Sequence, residues 1–320
     1  MTRVALAVDL GGTNLRAAAV DDAGTILYES QRPTEAEQGV DAVIERLTLA
    51  INEAAQQADL GSEVPVGVAA PGPLDPRAGI VHFAPNLPGW HGVPLADRLR
   101  EGTGRTILVG NDANAAALGE LYFGAGRGTG TKNLIYVGIG TGVGGGVISE
   151  GRLIDGIRGM GGELGHTTVD LEGPRCTCGS VGCIEAFCSS WSITREAQLL
   201  VACGRGTAIL DAAGKGEVGP RSVGVAAHAG DPYALRLLQR AGSALGAGLG
   251  NFVNIFNPEV IVIGGGVAEI GEPLLGPVRD AMRAFSIPSI HDGVSIIPSA
   301  LGLKTGTYGS AALVFHEYHP

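Results

Sequence analysis

The chain has few charged residues, few aromatic residues and fewer basic than acidic side chains. Charged residues make up 17% of its 320 residues and aromatic residues 5%, and 22 Lys and Arg stand against 32 Asp and Glu. Non-specific binders of nucleic acid or of an anionic membrane surface need clustered Lys and Arg. The net charge of −10 therefore argues against both classes.

The sequence also shows no secretory signal and no long apolar run. Asp9, Asn14 and Arg16 interrupt the apolar pattern of the first 20 residues. The longest uncharged run, residues 241–258, contains four glycines and three asparagines, which makes it a poor membrane span. We therefore expect a cytoplasmic protein. Three of the five cysteines lie within residues 176–183, a spacing typical of a metal site rather than of a disulfide framework.

Glycine, by contrast, is abundant, with 53 residues and no collagen period. The chain exceeds the usual limit of a single core, about 250–300 residues, so we expect two lobes. Strands followed by helices occur twice along the chain, which predicts an α/β fold. Strands are predicted at residues 3–9, 15–20, 25–31, 64–70, 107–110, 133–139, 147–149 and 260–263, and helices at 39–58, 192–203, 233–256, 272–285 and 309–318. The first three strands should form an antiparallel meander.

Each half of the chain has a glycine-rich loop directly after its first strand. Gly11, Gly12 and Thr13 follow Asp9, and the loop of residues 140–146 contains Thr141 and Gly142. Glycines at a hairpin tip let N–H groups converge on phosphate oxygens, and a carboxylate such as Asp9 suits a hydrated Mg²⁺. The second loop also matches G-x-G-x-x-G, but no helix follows it as a dinucleotide site requires. One such loop alone would be an ordinary hairpin; two favour phosphate binding.

Asn111 and Asp112 stand between an apolar strand and an Ala-rich helix. Helix capping is the simplest role for Asp or Asn at such a position. The alternative is a general base that accepts a hydroxyl proton during phosphoryl transfer. Residue type alone leaves both interpretations open.

His166, Cys176, Cys178 and Cys183 form the pattern H-x9-C-x-C-x4-C. Three thiolates and one imidazole make a closed tetrahedral set, which fits a structural Zn²⁺ better than a catalytic one. The alternative is three reduced cysteines beside an unrelated histidine. Cys188 and Cys203 receive no role. Glu163 and Glu185 flank the cluster, either as surface carboxylates or as acceptors for a polyhydroxylated ligand.

These motifs together resemble the ROK family of repressors, open reading frames and sugar kinases, within the actin-like ATPase superfamily. The likeness spans nearly the whole chain. Its most specific stretches are residues 135–166 and the cysteine motif of residues 176–185. Residues 69–73 and 85–90 look like those of the bacterial ROK glucokinases. The resemblance implies a two-lobed ribonuclease H-like fold with a cleft between lobes. The lobes would comprise residues 1–118 plus 305–320, and residues 119–304 with a zinc loop at 160–190.

The resemblance also implies a set of functional residues. Asp112 would be the catalytic base of an ATP-dependent glucokinase. Sugar would be bound by Asn86, Asn111, Asp112, Glu163, His166 and Glu185. ATP and Mg²⁺ would be bound by Asp9, Gly11, Gly12, Thr13, Thr141, Gly142, Gly264, Gly265 and Gly266. Zinc would be bound by His166, Cys176, Cys178 and Cys183.

Several points stay open at this stage. The hexose could be N-acetylmannosamine, N-acetylglucosamine, mannose or fructose instead of glucose, and the donor ADP or polyphosphate instead of ATP. A sugar-responsive ROK repressor is disfavoured by the net charge and by the few residues before Asp9, and a filament-forming actin relative by the cysteine cluster. The resemblance suggests a homodimer or homotetramer. Lys304 stands where the family often has a small or acidic residue, and its role is open.

Overall fold

The computed structural model describes residues 3–316. The regular elements of the first part are β1 Val4–Leu10, β2 Asn14–Asp21, β3 Ile26–Pro33, α1 Val40–Gln57, β4 Val66–Ala70, β5 Leu74–Asp75, β6 Ile80–Phe83, β7 His91–Val93, α2 Leu95–Thr103, β8 Ile107–Asn111 and α3 Asp112–Tyr122. They are followed by β9 Leu134–Ile139, β10 Val143–Ser149, β11 Arg152–Leu153, α4 Glu185–Cys188, α5 Ser190–Ala202, α6 Thr207–Ala213, α7 Pro220–His228, α8 Pro232–Phe256, β12 Val260–Gly264, α9 Glu272–Ala284, α10 Pro288–His291, β13 Ser295–Pro298 and α11 Thr305–Phe315.

The contacts divide the chain into two compact units. Within the described residues, the first unit comprises the chain up to Lys132, residues Gly146–Gly162 and the chain from Ser299 onward, and the second comprises Asn133–Gly145 and Glu163–Pro298. Residues 119–132, 146–162 and 299–304, assigned above to the second lobe, pack with the first unit. The first predicted boundary, between residues 118 and 119, falls inside α3. This helix runs unbroken to Tyr122, so residues 119–122 stay with the first unit.

The first unit is built on a five-stranded sheet of order β3-β2-β1-β4-β8. The pairs β1–β2 and β2–β3 are antiparallel, which confirms the predicted meander, and β4 and β8 continue the sheet in parallel. The predicted face of α1 is buried at Val43, Ile44, Leu47 and Ile51 within the core on one side of the sheet. The mixed α/β class is therefore as expected.

The last helix closes the first unit from the other side. Ala311 and Phe315 of α11 pack with Ala5 and Ala7 of β1, and the Ser310 hydroxyl donates to the Val8 carbonyl oxygen over 2.7 Å. The helix begins at Thr305, before the predicted start at residue 309, while the predicted end at residues 317 and 318 lies outside the described residues.

A small sheet of order β5-β6-β7 and the helix α2 have no counterpart among the predicted elements. The three strands are two to four residues long and lie in a Pro- and Gly-rich stretch, where the apolar pattern is too short to be recognised. Their importance lies in the loop between β6 and β7, which carries Asn86.

The second five-stranded sheet has the order β11-β10-β9-β12-β13, with β12 parallel to both β9 and β13. The predicted glycine loop of residues 140–146 is too long, because β10 already begins at Val143. Gly145 is part of this strand and serves packing, because a Cβ at this position would lie 2.6 Å from the Leu164 side chain. Helices α6 and α7 were not predicted. Within residues 3–316, no helix has the length and apolar character needed to cross a membrane.

Candidate active site

The first glycine hairpin joins β1 to β2. The Gly11 N–H donates to the Asn14 carbonyl oxygen over 3.0 Å and closes the turn. The Thr34 hydroxyl donates to the Gly11 carbonyl oxygen over 2.7 Å and holds the loop in place. A Cβ on Gly12 would lie 2.8 Å from the Asn86 Cβ, so glycine is what lets this hairpin approach the Asn86 loop. The hairpin therefore brings a predicted phosphate loop against a predicted sugar-binding residue.

Asp9 ends the first strand beside this hairpin. Burial raises the pKa of its carboxyl group, while the Arg16 guanidinium, 3.5 Å away, lowers it. Arg16 is itself held by the Leu303 carbonyl oxygen over 3.0 Å. A Cβ on Gly306 would lie 2.3 Å from the Asp9 carboxyl group, so α11 approaches closely only because residue 306 is glycine. Asp9 is thus a partly buried carboxylate paired with the Arg16 cation.

Asn86 lies exposed on a loop whose ends are anchored. Its neighbours Ala84, Leu87 and Trp90 are buried. The Leu87 N–H donates to the Ala84 carbonyl oxygen over 3.1 Å, and the Trp90 N–H to the Leu87 carbonyl oxygen over 3.2 Å. The apolar residues fix the loop in the core, and the polar side chain between them is presented outward.

Of the two interpretations that the sequence left open, helix capping and general base, the structure shows capping for Asn111. The Asn111 side-chain oxygen accepts from the N–H groups of Ala113 and Asn114 over 2.9 and 3.1 Å and caps α3. Its amide nitrogen donates to the Gly72 carbonyl oxygen over 3.3 Å. Asp112 is the first residue of the helix and is exposed. The Asp112 carboxylate also accepts the Ala113 N–H over 2.8 Å, so both side chains accept hydrogen bonds at the N-terminus of α3.

The second glycine hairpin joins β9 to β10 in the second unit. The Gly140 N–H donates to the Gly142 carbonyl oxygen over 2.9 Å, and Thr141 is exposed at the tip. Glu185, at the start of α4, is buried and accepts the Val143 N–H over 3.0 Å. A Cβ on Gly142 would lie 2.5 Å from a Glu185 carboxylate oxygen. This hairpin therefore also packs on a predicted sugar-binding residue.

The other Glu185 oxygen is bound by the cysteine loop. It accepts the Thr177 hydroxyl over 3.0 Å and lies 3.5 Å from the Cys176 sulfur. Each carboxylate oxygen accepts two hydrogen bonds. Both oxygens of Glu185 are therefore oriented by the protein, and the oxygen that accepts the Val143 N–H retains capacity for a ligand hydroxyl.

Gly264, Gly265 and Gly266 end β12 next to the second hairpin. Gly265 has φ of 84°, and its Cβ would lie 2.3 Å from the Ile139 carbonyl oxygen, so this position requires glycine. A Cβ on Gly266, by contrast, would meet open space. Gly265 and Gly266 are exposed and Gly264 is buried, so the accessible backbone begins directly after β12, where the family resemblance expects the adenosine.

His166, Cys176, Cys178 and Cys183 have their ligand atoms within 4.8 Å of one another. The His166 Nδ1 lies 3.6 Å from the Cys176 sulfur, and the Cys178 and Cys183 sulfurs are 3.7 Å apart. A tetrahedral zinc with Zn–S bonds of about 2.3 Å places its ligand atoms roughly 3.8 Å apart. Burial raises the pKa of the Cys176 thiol to about 12, so an unligated cluster would keep this thiol protonated. The donor set therefore fits zinc in number, type and spacing.

Glu163 lies beside this cluster. Its carboxylate oxygen is 4.0 Å from the His166 Nε2, the nitrogen on the far side of the ring from Cys176. Burial raises the Glu163 pKa, the His166 ring lowers it and the Glu185 charge raises it. With Nδ1 at the cluster, Nε2 stays available to a carboxylate or a ligand hydroxyl.

The sequence analysis missed Arg16 and Gly306 as supports of Asp9. The signal for Arg16 was present, because a three-residue hairpin loop places it directly opposite Asp9 in the strand register. Gly306 lies 297 residues from Asp9, so no local pattern connects them. Lys304, whose role was open, pairs with Glu29 over 3.3 Å and ties the start of α11 to β3.

Comparison with known proteins agrees with the resemblance seen in the sequence. A model of the ROK family matches residues 5–317. The glucokinase of Thermotoga maritima is 39% identical over 97% of this chain and 96% of its own length. The crystal structure of a ROK family glucokinase from Streptomyces griseus in complex with glucose and AMPPNP is 34% identical, with a TM-score of 0.81 over 97% of this chain and 98% of that one. A ROK hexokinase from Thermus thermophilus is 36% identical, with a TM-score of 0.81 over 99% of both chains. The chain belongs to the ROK family.

Proposed function

We propose that this protein is an ATP-dependent glucokinase, which transfers the γ-phosphate of Mg-ATP to the 6-hydroxyl of glucose. Two kinds of observation support the proposal. Glucokinases are similar to the chain over nearly its whole length. The observation that carries it is the position of Asp112: its carboxylate is exposed at the first residue of α3, directly after β8, where Asn111 caps the helix.

Each side chain has a defined task in this proposal. Asp112 accepts the proton of the 6-hydroxyl at its carboxylate oxygen as the hydroxyl attacks. Asn86, Asn111, Glu163, His166 and Glu185 bind the sugar hydroxyls and orient the ring. The N–H groups at Gly11, Gly12 and Thr13, and at Thr141 and Gly142, bind phosphate oxygens, while Gly264, Gly265 and Gly266 lie against the nucleoside. ATP would supply the transferable phosphoryl group, and Mg²⁺, for which Asp9 would provide a carboxylate, would neutralise phosphate charge.

A coupled assay of ADP release from Mg-ATP tests this function. Glucose should be compared with mannose, fructose, N-acetylglucosamine and N-acetylmannosamine, at matched concentrations. We expect the highest kcat/KM with glucose and glucose 6-phosphate as the product. Turnover with another sugar but not with glucose would support a kinase activity and contradict glucose as its substrate. Absence of turnover with every sugar would contradict the proposal.

We further propose that the cysteine cluster holds a structural zinc ion that positions Glu185. The hydrogen bond to the Glu185 carboxylate from Thr177, which lies between the ligands Cys176 and Cys178, supports this role. A closed set of four protein ligands leaves no position for an activated water, which separates this ion from the chemistry. Metal analysis of the purified protein should find one zinc per chain, and Cys178→Ser should lose it. Zinc-free wild-type protein with full sugar affinity would contradict the role. The predicted cytoplasmic location and homo-oligomer stay predictions.

A further inference from the structure

A cavity outside the proposed active site lies within the second unit. It has a volume of about 340 Å³ and is formed by residues of α4, α5 and α8, by the loop before Cys176 and by the loop after α5. Its lining residues are Pro174, Ala186, Phe187, Arg195, Glu196, Leu200, Arg205, Tyr233, Arg236, Leu237, Arg240 and Ala241. None of them is among the proposed catalytic, sugar-binding, nucleotide-binding or zinc-binding residues.

Charge is the unusual property of this cavity. In a chain with a net charge of −10, its lining includes four arginines and one glutamate. Glu196 pairs with Arg195 over 2.9 Å. Within residues 3–316, no carboxylate forms an ion pair with Arg205, Arg236 or Arg240. Arg236 and Arg240 stand four residues apart on α8, a spacing at which like charges destabilise a helix. The cavity therefore concentrates positive charge that the protein itself does not neutralise.

Aromatic rings hold two of these guanidinium groups in place. Arg240 lies over the Phe187 ring, with 5.3 Å between guanidinium carbon and ring centroid, and Arg236 lies over the Tyr233 ring at 4.6 Å. Stacking restricts a planar guanidinium without using its N–H donors. The donors remain available for paired hydrogen bonds to the oxygens of a phosphate group, the geometry that arginine recognises best.

The rest of the lining is apolar. Ala186, Leu200, Leu237 and Ala241 provide hydrocarbon surface next to the arginines. A site with a few convergent polar groups on an apolar wall is typical of small-molecule binding. We propose that this cavity binds a small phosphate ester, whose phosphate group is bound by Arg205, Arg236 and Arg240 and whose organic part contacts the apolar wall.

Tryptophan fluorescence offers a local test. The chain has two tryptophans, of which Trp90 is fully buried in the first unit. Trp191 stacks with the cavity residue Arg195, with 5.2 Å between guanidinium carbon and ring centroid. The emission of the full-length protein should be titrated with AMP, with glucose 6-phosphate and with inorganic phosphate. The same titrations on Trp191→Phe identify the part of the signal that comes from Trp191. Because Trp191 also packs against Cys176 and Cys183, arginine variants of the cavity are needed to assign that signal to this site.

We expect at least one of the two esters to bind saturably with a dissociation constant below about 1 mM, and more tightly than inorganic phosphate. The double variant Arg236→Gln/Arg240→Gln should weaken this binding at least about tenfold, because two charge-assisted contacts are lost. Arg221→Gln, an exposed arginine of α7 outside the cavity, is the matched control and should bind as the wild type does.

Three results would overturn the proposal. They are the absence of a saturable Trp191 signal with both esters, unchanged affinity in the double variant, and inorganic phosphate binding as tightly as the esters. Phosphate compounds that bind at the glycine hairpins do not confuse the result, because the double variant leaves both hairpins intact. The outcome is therefore independent of the proposed kinase function.

Discussion

The two glycine hairpins share a backbone plan but differ in what supports them. In each, a strand of the unit's sheet turns back through glycine, and an N–H at the turn donates to a carbonyl oxygen two or three residues later. The first hairpin has a carboxylate in its own strand, Asp9, with Arg16 opposite in the register. The second has none, and a carboxylate reaches it from elsewhere in the chain: Glu185, through the Val143 N–H.

The first hairpin is therefore supported by residues close to it in the sequence, and the second by residues from a distant segment. Asp9 and Arg16 are seven residues apart, so the hairpin register alone brings them together. Glu185 is placed by α4 and by Thr177 and Cys176 of the cysteine loop. Loss of the zinc ion should therefore leave the Asp9 charge at the first hairpin unchanged and should disturb the geometry of the second hairpin. The predictions that follow test this contrast.

Among the substitutions at the two hairpins, the largest effect is expected from Asp9→Asn. The substitution keeps the shape of the side chain and removes the charge that the proposal uses to hold the hydrated Mg²⁺. Turnover with Mg-ATP should fall by about 10²–10³-fold, the usual effect of losing one electrostatic contact to a reacting phosphate. Steady-state kinetics measure it, with Asp41→Asn as the control, since Asp41 is an exposed surface residue. Retention of a third or more of the wild-type kcat would contradict the role of Asp9.

Removal of zinc should affect the two hairpins differently. Chelation, or Cys178→Ser, should raise the KM for glucose by roughly 10–100-fold, the typical effect of losing a group that orients a ligand-binding residue. Hydrogen exchange should accelerate at residues 140–145 and stay unchanged at residues 10–14. Cys203→Ser, an exposed cysteine outside the cluster, is the control. Equal acceleration at both hairpins would refute the contrast.

Gly142→Ala should perturb the second hairpin with its metal in place. The added Cβ would lie 2.5 Å from the Glu185 carboxylate, so the residue or the hairpin must move. Overpacking of this kind costs about 1–3 kcal/mol of unfolding free energy. We expect a lower Tm and a several-fold higher KM for glucose. Gly276→Ala is the control, because its Cβ would make only an ordinary contact at 3.9 Å. Wild-type values for both quantities in Gly142→Ala would count against the observed packing.

The smallest effect is a shift in pH dependence at the first hairpin. Burial raises the Asp9 pKa and Arg16 lowers it, so Arg16→Gln should raise it further. The ionised carboxylate is the active form, and turnover falls as the pH drops through this pKa. The acid limb of the kcat profile should therefore move to higher pH. Arg3→Gln, in an exposed ion pair with Asp22, should leave the profile in place. If the acid limb of the kcat profile stays in place in Arg16→Gln, the role of Asp9 in turnover would be contradicted.

Local patterns allowed much of this architecture to be predicted from the sequence. The antiparallel meander, the apolar face of α1 and the convergence of His166 with the three cysteines all depend on residues near one another in the chain. The glycine-rich stretch of residues 140–146 was read as one loop, because the sequence does not reveal that Gly145 is needed for packing against Leu164 rather than for a turn.

The remainder depends on contacts between distant segments. The contacts of Gly306 with Asp9 and of Gly142 with Glu185 join parts of the chain that no short pattern relates. The same is true of the arginine-lined cavity, whose residues come from three helices and two loops. Asn111 and Asp112 could be recognised as a pair, but their separate roles required the hydrogen bonds of the α3 N-terminus.

We propose Asp112 as the base that takes the proton of the glucose 6-hydroxyl. Asp112→Asn should be compared with the wild type in the rate of glucose 6-phosphate formation and in the dissociation constant for glucose. We expect the rate to fall by about 10²–10⁴-fold, the range of a lost general base, while glucose still binds. A rate within threefold of the wild type would contradict it.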